Sequence, residues 1–168
     1  MNLPNLITLI RLGVVPGLVY FLEVKGGNGI ALILFLAASL TDWVDGYLAR
    51  KLKQTTALGA LLDPLVDKVL VTAAVVGLVA QGVVPAWSVT LVLTREFLIT
   101  GLRTAAMSAN IVLAASWTGK TKTVLQMLAI SLLLANIQPY GTYAWWAAIV
   151  LTAYSGIEYL WQTRRLWV

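Results

Sequence analysis

The sequence predicts an all-α integral membrane protein with six transmembrane helices, and two observations support that prediction. Of its 168 residues, 60% are apolar and 11% are charged, whereas a soluble domain holds about 25% charged residues. A membrane-spanning helix needs about 20 mostly apolar residues, and the chain contains six stretches of that kind. We expect residues 1–168 to form one domain.

Short breaks separate the six predicted spans, and no low-complexity tract or linker lies between them. In chain order the spans are 5–23, 29–50, 60–81, 86–108, 119–137 and 142–163. Three of the breaks are rich in Gly, Pro or Asn, residues that end helices, and lie at 26–29, 81–85 and 137–141. The other two breaks, 51–58 and 109–118, are more polar or basic.

Two of the spans carry prolines that affect how the helix begins. Pro4 and Pro16, together with Arg11, indicate that the first span opens as an amphipathic segment at the membrane interface. The start of the chain lacks the pattern of a cleaved signal peptide, so we expect this segment to be retained. In the third span, Pro64 leaves two options: the helix begins near Asp63, or a longer helix is kinked.

Basic residues are divided unevenly between the two ends of the predicted helices. Seven lie at one end and only Lys25 at the other. Because basic residues favour the cytoplasmic side, both termini are predicted to be cytoplasmic, in a multi-pass protein of the cell (inner) membrane. Tryptophans near the helix ends, Trp145 among them, are predicted to anchor the interfaces. The seven basic residues are Arg50, Lys51, Lys53, Lys120, Lys122, Arg164 and Arg165.

The composition also excludes several kinds of chemistry. The chain has no Cys and no His, which excludes disulfides, thiol redox chemistry, Cys/His metal sites and a His general base. Its net charge of +5 is not arranged as a basic stripe with stacking aromatics, so no nucleic-acid partner is expected. The basic residues are better suited to lipid headgroups or anionic substrates.

The aspartates are concentrated in a short part of the chain. All four lie between positions 42 and 67. At about 1.5 Å per residue, five predicted helices each bring at least one ionisable residue to a depth of about 20–27 Å from the outer surface of a core about 30 Å thick. These residues are Asp42, Asp45, Asp63, Asp67, Arg103, Lys120, Lys122 and Glu158. Charges at that depth need a polar environment. The sequence therefore predicts a polar cavity within the membrane that opens to the cytoplasm.

Four carboxylates are predicted to face one another across two neighbouring helices. Asp42 and Asp45 are three residues apart, and Asp63 and Asp67 are four apart, so each pair shares a helix face. Protonation, pairing with Arg or Lys, or two divalent cations would each relieve their charge inside a membrane. Oxygen ligands without His suit Mg²⁺ or Mn²⁺.

A longer pattern runs through these aspartates. It resembles, without a departure, the signature of the CDP-alcohol phosphatidyltransferases. That resemblance implies six transmembrane helices around a cytoplasm-facing cavity, in a homodimer. The eight positions of the pattern, spread over 26 residues, are Asp42, Asp45, Gly46, Ala49, Arg50, Gly59, Asp63 and Asp67.

The resemblance extends to the phosphatidylglycerophosphate synthase branch of that family. It implies that CDP-diacylglycerol and sn-glycerol 3-phosphate react to give phosphatidylglycerophosphate and CMP. The expected partners of the protein therefore include the surrounding membrane lipid. The further matching motifs are NLPNLITLIR at 2–11, REF at 95–97, GLR at 101–103 and SWTGKTKT at 116–123 followed by QM at 126–127.

The resemblance also implies roles for individual residues. Asp42, Asp45, Asp63 and Asp67 are implied to bind two divalent ions. Asp67 either accepts the proton of the acceptor hydroxyl or, because a metal weakens it as a base, mainly orients that hydroxyl. For the two glycines of the signature, close helix packing is an equal alternative. The positions implied to line the CDP group are Gly46, Ala49, Arg50 and Gly59.

The acceptor carries a phosphate, so its pocket needs cations. Arg103, Lys120 and Lys122 reach the predicted depth of the aspartates and are the candidates, with contact to lipid headgroups as the alternative. Arg95 and Glu96 form either a buried ion pair or a ligand site. Two other functions stay open: the same chemistry with inositol phosphate, serine or an amino-alcohol as acceptor, and an intramembrane divalent-cation transporter.

Overall fold

The computed structural model describes the backbone of residues 3–52, 57–108 and 117–164, and the side chains of 8–41, 65–106, 117–161, 163 and 164. Over these residues the chain forms six helices and no strand. Each boundary lies within three residues of the one predicted from the sequence, so the all-helical prediction is confirmed. The helices are α1 (Leu3–Glu23), α2 (Asn28–Leu52), α3 (Ala57–Ala80), α4 (Ala86–Ser108), α5 (Trp117–Leu134) and α6 (Tyr140–Gln162).

Three expectations about the helices can be compared with this result. α3 begins at Ala57, so Pro64 lies inside it and the option of a helix that begins near Asp63 is wrong. α1 is continuous and contains Pro16, so the predicted interfacial segment is part of one longer helix. Within the described ranges, no helix combines the length and the apolar character needed to cross a membrane. The transmembrane topology stays a prediction.

Both α3 and α5 are followed by a turn whose second residue is left-handed. After α3, Gly82 has a φ of +71°, and its N–H donates to the carbonyl of Val79 at 2.9 Å. The N–H of Val83 donates to the carbonyl of Leu78 at 2.9 Å. After α5, Asn136 occupies the corresponding position with a φ of 55°. A left-handed residue here ends the helix, which confirms the predicted breaks.

The helices form two compact units, Met1–Val83 and Val84–Val168. In the first unit, α1 packs along both α2 and α3, and α2 and α3 touch each other less extensively. Leu18, Phe35 and Leu70 are fully buried in its core. The expectation of a single domain over the whole chain stays a prediction.

The ends of all three helices of the first unit are joined by hydrogen bonds. The side-chain amides of Asn28 and Gln81 donate to each other at 3.1 and 2.8 Å, and Gln81 Nε2 also donates to the carbonyl of Leu22 at 2.6 Å. α3 approaches α1 closely at Gly77, where an added Cβ would lie 2.5 Å from Leu22 Cδ1. Glycine at this position therefore permits the packing of α1 against α3.

In the second unit, α6 packs extensively on α5 and less extensively on α4. Val92, Ile130 and Ala148 are buried in its core. Trp145 is only 1% exposed, and its indole N–H donates to Ser88 Oγ at 3.1 Å. The prediction of Trp145 as an interfacial anchor is wrong, because its polar atom has a partner inside the unit.

Candidate functional site

The four aspartates lie on two helices of the first unit that contact each other. α2 carries Asp42 and Asp45, and α3 carries Asp63 and Asp67. The two pairs therefore occupy neighbouring helices, as the spacing predicts. The backbone thus brings the two halves of the signature to adjacent elements.

Most side chains of the signature lie outside the described residues. This set comprises Asp42, Asp45, Gly46, Ala49, Arg50, Gly59 and Asp63.

Asp67 is the member of the signature whose side chain the structure describes. It is partly buried on α3, and both Asp67 and the adjacent Lys68 have interaction partners. Among the described side chains, no group of three or more acidic residues is placed to hold a metal ion. The donor chemistry nevertheless fits a hard divalent ion, because the four carboxylates supply oxygen alone and the chain has no Cys or His.

In the second unit, Glu96 joins two cations from two helices. Its Oε1 accepts a hydrogen bond from Arg95 Nη1 on α4 at 3.2 Å and another from Lys122 Nζ on α5. The side chain of Lys122 is 1% exposed and that of Glu96 is 21% exposed. Of the two options for Arg95 and Glu96, the structure therefore contains the ion pair, and it adds Lys122 to that pair.

Arg95 also connects α4 to α6. Its Nη2 donates to Ser155 Oγ at 3.1 Å, and an added Cβ at Gly156 would lie 3.2 Å from Arg95 Cγ. A cavity of about 330 Å³ lies beside it between α4 and α6, with Thr94, Arg95 and Thr152 among otherwise apolar lining residues. Because both Nη groups of Arg95 bind protein atoms, this apolar cavity is a poor site for an anion.

Arg103 meets α6 through Tyr159. Arg103 Nε donates to the Tyr159 hydroxyl at 3.3 Å, and its Cζ lies 5.6 Å from the centre of the ring. Tyr159 is 3% exposed, whereas Arg103 is partly exposed. A cation over an aromatic face and a hydrogen bond to the same side chain hold the guanidinium in one orientation.

The beginning of α5 contributes a further cation and a further link to α6. Lys120 is exposed, and its Nζ lies 5.9 Å from the centre of the Trp117 ring. Thr118 Oγ1 donates to Glu158 Oε2 on α6. Glu158, for which the sequence indicates no functional role, is therefore bound to α5.

The three cations proposed for an anionic acceptor are thus in different states. Lys122 is buried beside Glu96, Arg103 is held by Tyr159, and Lys120 is exposed. Sequence reasoning assigned no role to the polar residues of α6, although they recur every three or four positions on one buried face. That signal was available at Thr152, Ser155 and Tyr159, and it continues at Thr163, the residue that follows the last turn of α6.

The chain is similar to one family and to named relatives. The model of the CDP-alcohol phosphatidyltransferase family matches residues 1–154. The CDP-diacylglycerol–glycerol-3-phosphate 3-phosphatidyltransferase of Bacillus subtilis (strain 168) is 43% identical over 94% of this chain and 93% of its own length. Proteins of the same name are 40% identical in Escherichia coli (strain K12), over 95% and 93%, and 39% identical in Haemophilus influenzae, over 95% and 91%.

Proposed function

Because the chain belongs to the CDP-alcohol phosphatidyltransferase family, we infer that it transfers the phosphatidyl group of CDP-diacylglycerol to sn-glycerol 3-phosphate. The observation that carries this function is an identity of 39–43% with relatives of that name, over at least 91% of each protein. The family signature and the motifs of the glycerol 3-phosphate branch all lie within the matched residues 1–154.

In this reaction a hydroxyl of glycerol 3-phosphate attacks the phosphorus that carries the diacylglycerol. The bond from that phosphorus to CMP breaks, CMP leaves with the bridging oxygen, and the hydroxyl proton is released. Asp67 is our candidate for holding or accepting that proton. Its partial burial and its place in the family signature support this role.

Asp42, Asp45, Asp63 and Asp67 are the residues that would hold two divalent ions, Mg²⁺ or Mn²⁺. Such ions supply positive charge that stabilises the pyrophosphate and the departing CMP. The oxygen-only donor set and the contact between α2 and α3 support this assignment. Removal of divalent metal should abolish CMP release, and added Mg²⁺ or Mn²⁺ should restore it.

The CDP group is proposed to lie against the signature residues between the two aspartate pairs. Arg50 is a suitable partner for its phosphates, because a guanidinium donates two parallel hydrogen bonds to phosphate oxygens. The small residues leave room for the nucleotide to approach the backbone. These proposed contacts come from Gly46, Ala49, Arg50 and Gly59.

The second unit supplies the cations proposed for the acceptor. Arg103 and Lys120 are at least partly exposed, which suits them to bind the phosphate of glycerol 3-phosphate. Lys122, the third candidate, is buried beside Glu96. Because Glu96 neutralises much of its positive charge, Lys122 is a weaker candidate for the acceptor phosphate than Arg103 and Lys120.

We further propose that the chain is a multi-pass protein of the cell (inner) membrane and acts as a homodimer. Both termini and the polar cavity are proposed to face the cytoplasm. Large apolar side chains that are more than half exposed occur on every helix, and such surface supports contact with lipid or with a second copy. Resistance of membrane-bound protein to alkaline carbonate extraction would test the location. The large apolar side chains that are more than half exposed include Ile10, Ile33, Val76, Phe97, Val124 and Val150, one on each helix.

The function is tested with purified protein in lipid vesicles that contain CDP-diacylglycerol and Mg²⁺. We expect CMP release that depends on added glycerol 3-phosphate. Release that depends instead on inositol phosphate, serine or an amino-alcohol would replace the proposed acceptor. Divalent-metal flux across the vesicles without any CMP release would replace the enzyme by a transporter.

A further inference from the structure

Two arginines of α4 contact α6 through different nitrogens of the guanidinium group. Arg95 donates from both Nη groups, to Glu96 and to Ser155, and its buried Nε has no hydrogen-bond partner in the described part of the chain. Arg103 donates from Nε, to the Tyr159 hydroxyl. Its Nη1 and Nη2 donate no hydrogen bond to any described residue. The paired nitrogens of the guanidinium are therefore occupied in Arg95 and available in Arg103.

Tyr159 is built to hold the Arg103 guanidinium in a fixed plane. It is 3% exposed, so its ring has little freedom, and a buried phenol hydroxyl needs a hydrogen-bond partner. The hydroxyl accepts from Nε at 3.3 Å while the ring lies 5.6 Å from Cζ. Because a guanidinium is planar, fixing Nε also fixes the direction of the edge formed by Nη1 and Nη2.

That edge matches two oxygens of a phosphate group, which a guanidinium binds through two parallel hydrogen bonds. The neighbouring cations are arranged differently. Lys122 is 1% exposed and paired with Glu96, and Lys120 is an exposed, flexible chain beside Trp117. Among the described cations proposed for the acceptor, Arg103 is the one whose donors are both oriented and available.

We propose that Tyr159 is a positioning residue that orients Arg103 to bind the phosphate of the acceptor. This inference rests on the proposed transfer to glycerol 3-phosphate, and it identifies the contact that sets the affinity for that acceptor. The same edge matches the pyrophosphate of CDP-diacylglycerol, so the two substrates have to be varied separately.

The test is Tyr159→Phe, which removes the hydroxyl and keeps the ring. Loss of one hydrogen bond that orients a charged group should raise KM for glycerol 3-phosphate about three- to tenfold. The kcat and the KM for CDP-diacylglycerol should change by less than about twofold. A rise confined to the KM for CDP-diacylglycerol would overturn the assignment to the acceptor.

Ser155→Ala is the matched control, because it removes the other arginine–α6 hydrogen bond of the same interface. It should lower the melting temperature as Tyr159→Phe does and leave KM for glycerol 3-phosphate unchanged. If both variants shift this KM equally, Tyr159 is only structural and the inference is wrong. With Arg103→Met present, Tyr159→Phe should have no further effect on KM, and a persisting effect would also contradict it.

A binding measurement separates this inference from the proposed function. Titration calorimetry with glycerol 3-phosphate alone needs no turnover. If the wild type binds it but releases no CMP, the proposed function fails, while a three- to tenfold weaker Kd in Tyr159→Phe, about the value expected for one lost hydrogen bond, still supports the positioning role. An equal Kd in the two proteins, or no binding by the wild type, overturns it.

Discussion

The two units of the chain carry their charge in different ways. Met1–Val83 holds six Lys and Arg against five acidic residues, a net charge of +1, and contains all four aspartates. Val84–Val168 holds six Lys and Arg against two Glu, a net charge of +4. The first unit thus holds most of the acidic residues, the proposed metal ligands among them, whereas the second has an excess of positive charge, which suits the proposed binding of an anion.

The described polar contacts differ in the same direction. In the first unit they include the amide pair of Asn28 and Gln81, which joins helix ends without a charge. In the second unit they include Glu96 between two cations and Arg103 on Tyr159. This difference indicates that the second unit neutralises some of its cations internally and keeps others available for a ligand.

The largest effect is expected from the acidic side of the first unit. Asp63→Asn or Asp67→Asn removes a negative charge from the proposed metal ligands, and turnover should fall by about 1,000-fold or more. CMP release under saturating glycerol 3-phosphate and Mg²⁺ measures this. Insertion into membranes should be unchanged, because an amide has nearly the size of the carboxylate.

Glu23→Gln is the matched control, since Glu23 is an exposed acid at the end of α1 in the same unit. It should keep wild-type turnover. Wild-type rates in either aspartate variant would contradict the two-metal assignment and remove the functional reason for the concentration of aspartates in the first unit.

An intermediate effect on stability is expected from Glu96→Gln in the second unit. This change leaves the buried ammonium of Lys122 without the carboxylate that neutralises it, which should destabilise the folded state by about 3 kcal/mol. Thermal unfolding in detergent measures the change. This loss of stability depends on the buried positive charge of Lys122, which lies in the second unit.

The double variant Glu96→Gln with Lys122→Met checks the reason for that loss. Because it removes the buried cation as well, it should be more stable than Glu96→Gln alone. An additive loss from the two substitutions would show that Glu96 does not stabilise the protein through Lys122.

The course of the chain follows from local signals in the sequence, and its exceptions have physical causes. Gly82 and Asn136 adopt left-handed conformations, so the helix ends could be predicted from residue type. Pro64 was ambiguous because a proline is tolerated both at a helix start and inside a helix whose neighbours support it. The burial of Trp145 depends on Ser88, a partner 57 residues away that no local pattern indicates.

The candidate site likewise has one part that local sequence patterns predict and another part that depends on how the helices pack. The spacing of the aspartates places them on adjacent helices, since that arrangement depends only on helix geometry and a short connection. The partners of the cations depend on how α6 is rotated against α4, which packing decides. Gly156 lets Arg95 approach α6, and this places Ser155 and Tyr159 opposite the two arginines.

The smallest effect is expected near the beginnings of α4 and α6, where Ser88 and Trp145 form a hydrogen bond between uncharged side chains. In this respect the contact resembles the amide pair of Asn28 and Gln81 in the first unit. Trp145→Phe removes the indole N–H that donates to Ser88 Oγ at 3.1 Å and reduces the volume of a side chain that is 1% exposed. The loss should be about 1–2 kcal/mol, without a change in KM for glycerol 3-phosphate. Trp146→Phe, at a position that is 39% exposed, should cost less than about 0.5 kcal/mol. Equal losses at the two positions would contradict this prediction. They would show that the burial of Trp145 and its hydrogen bond to Ser88 add little to the stability of the unit.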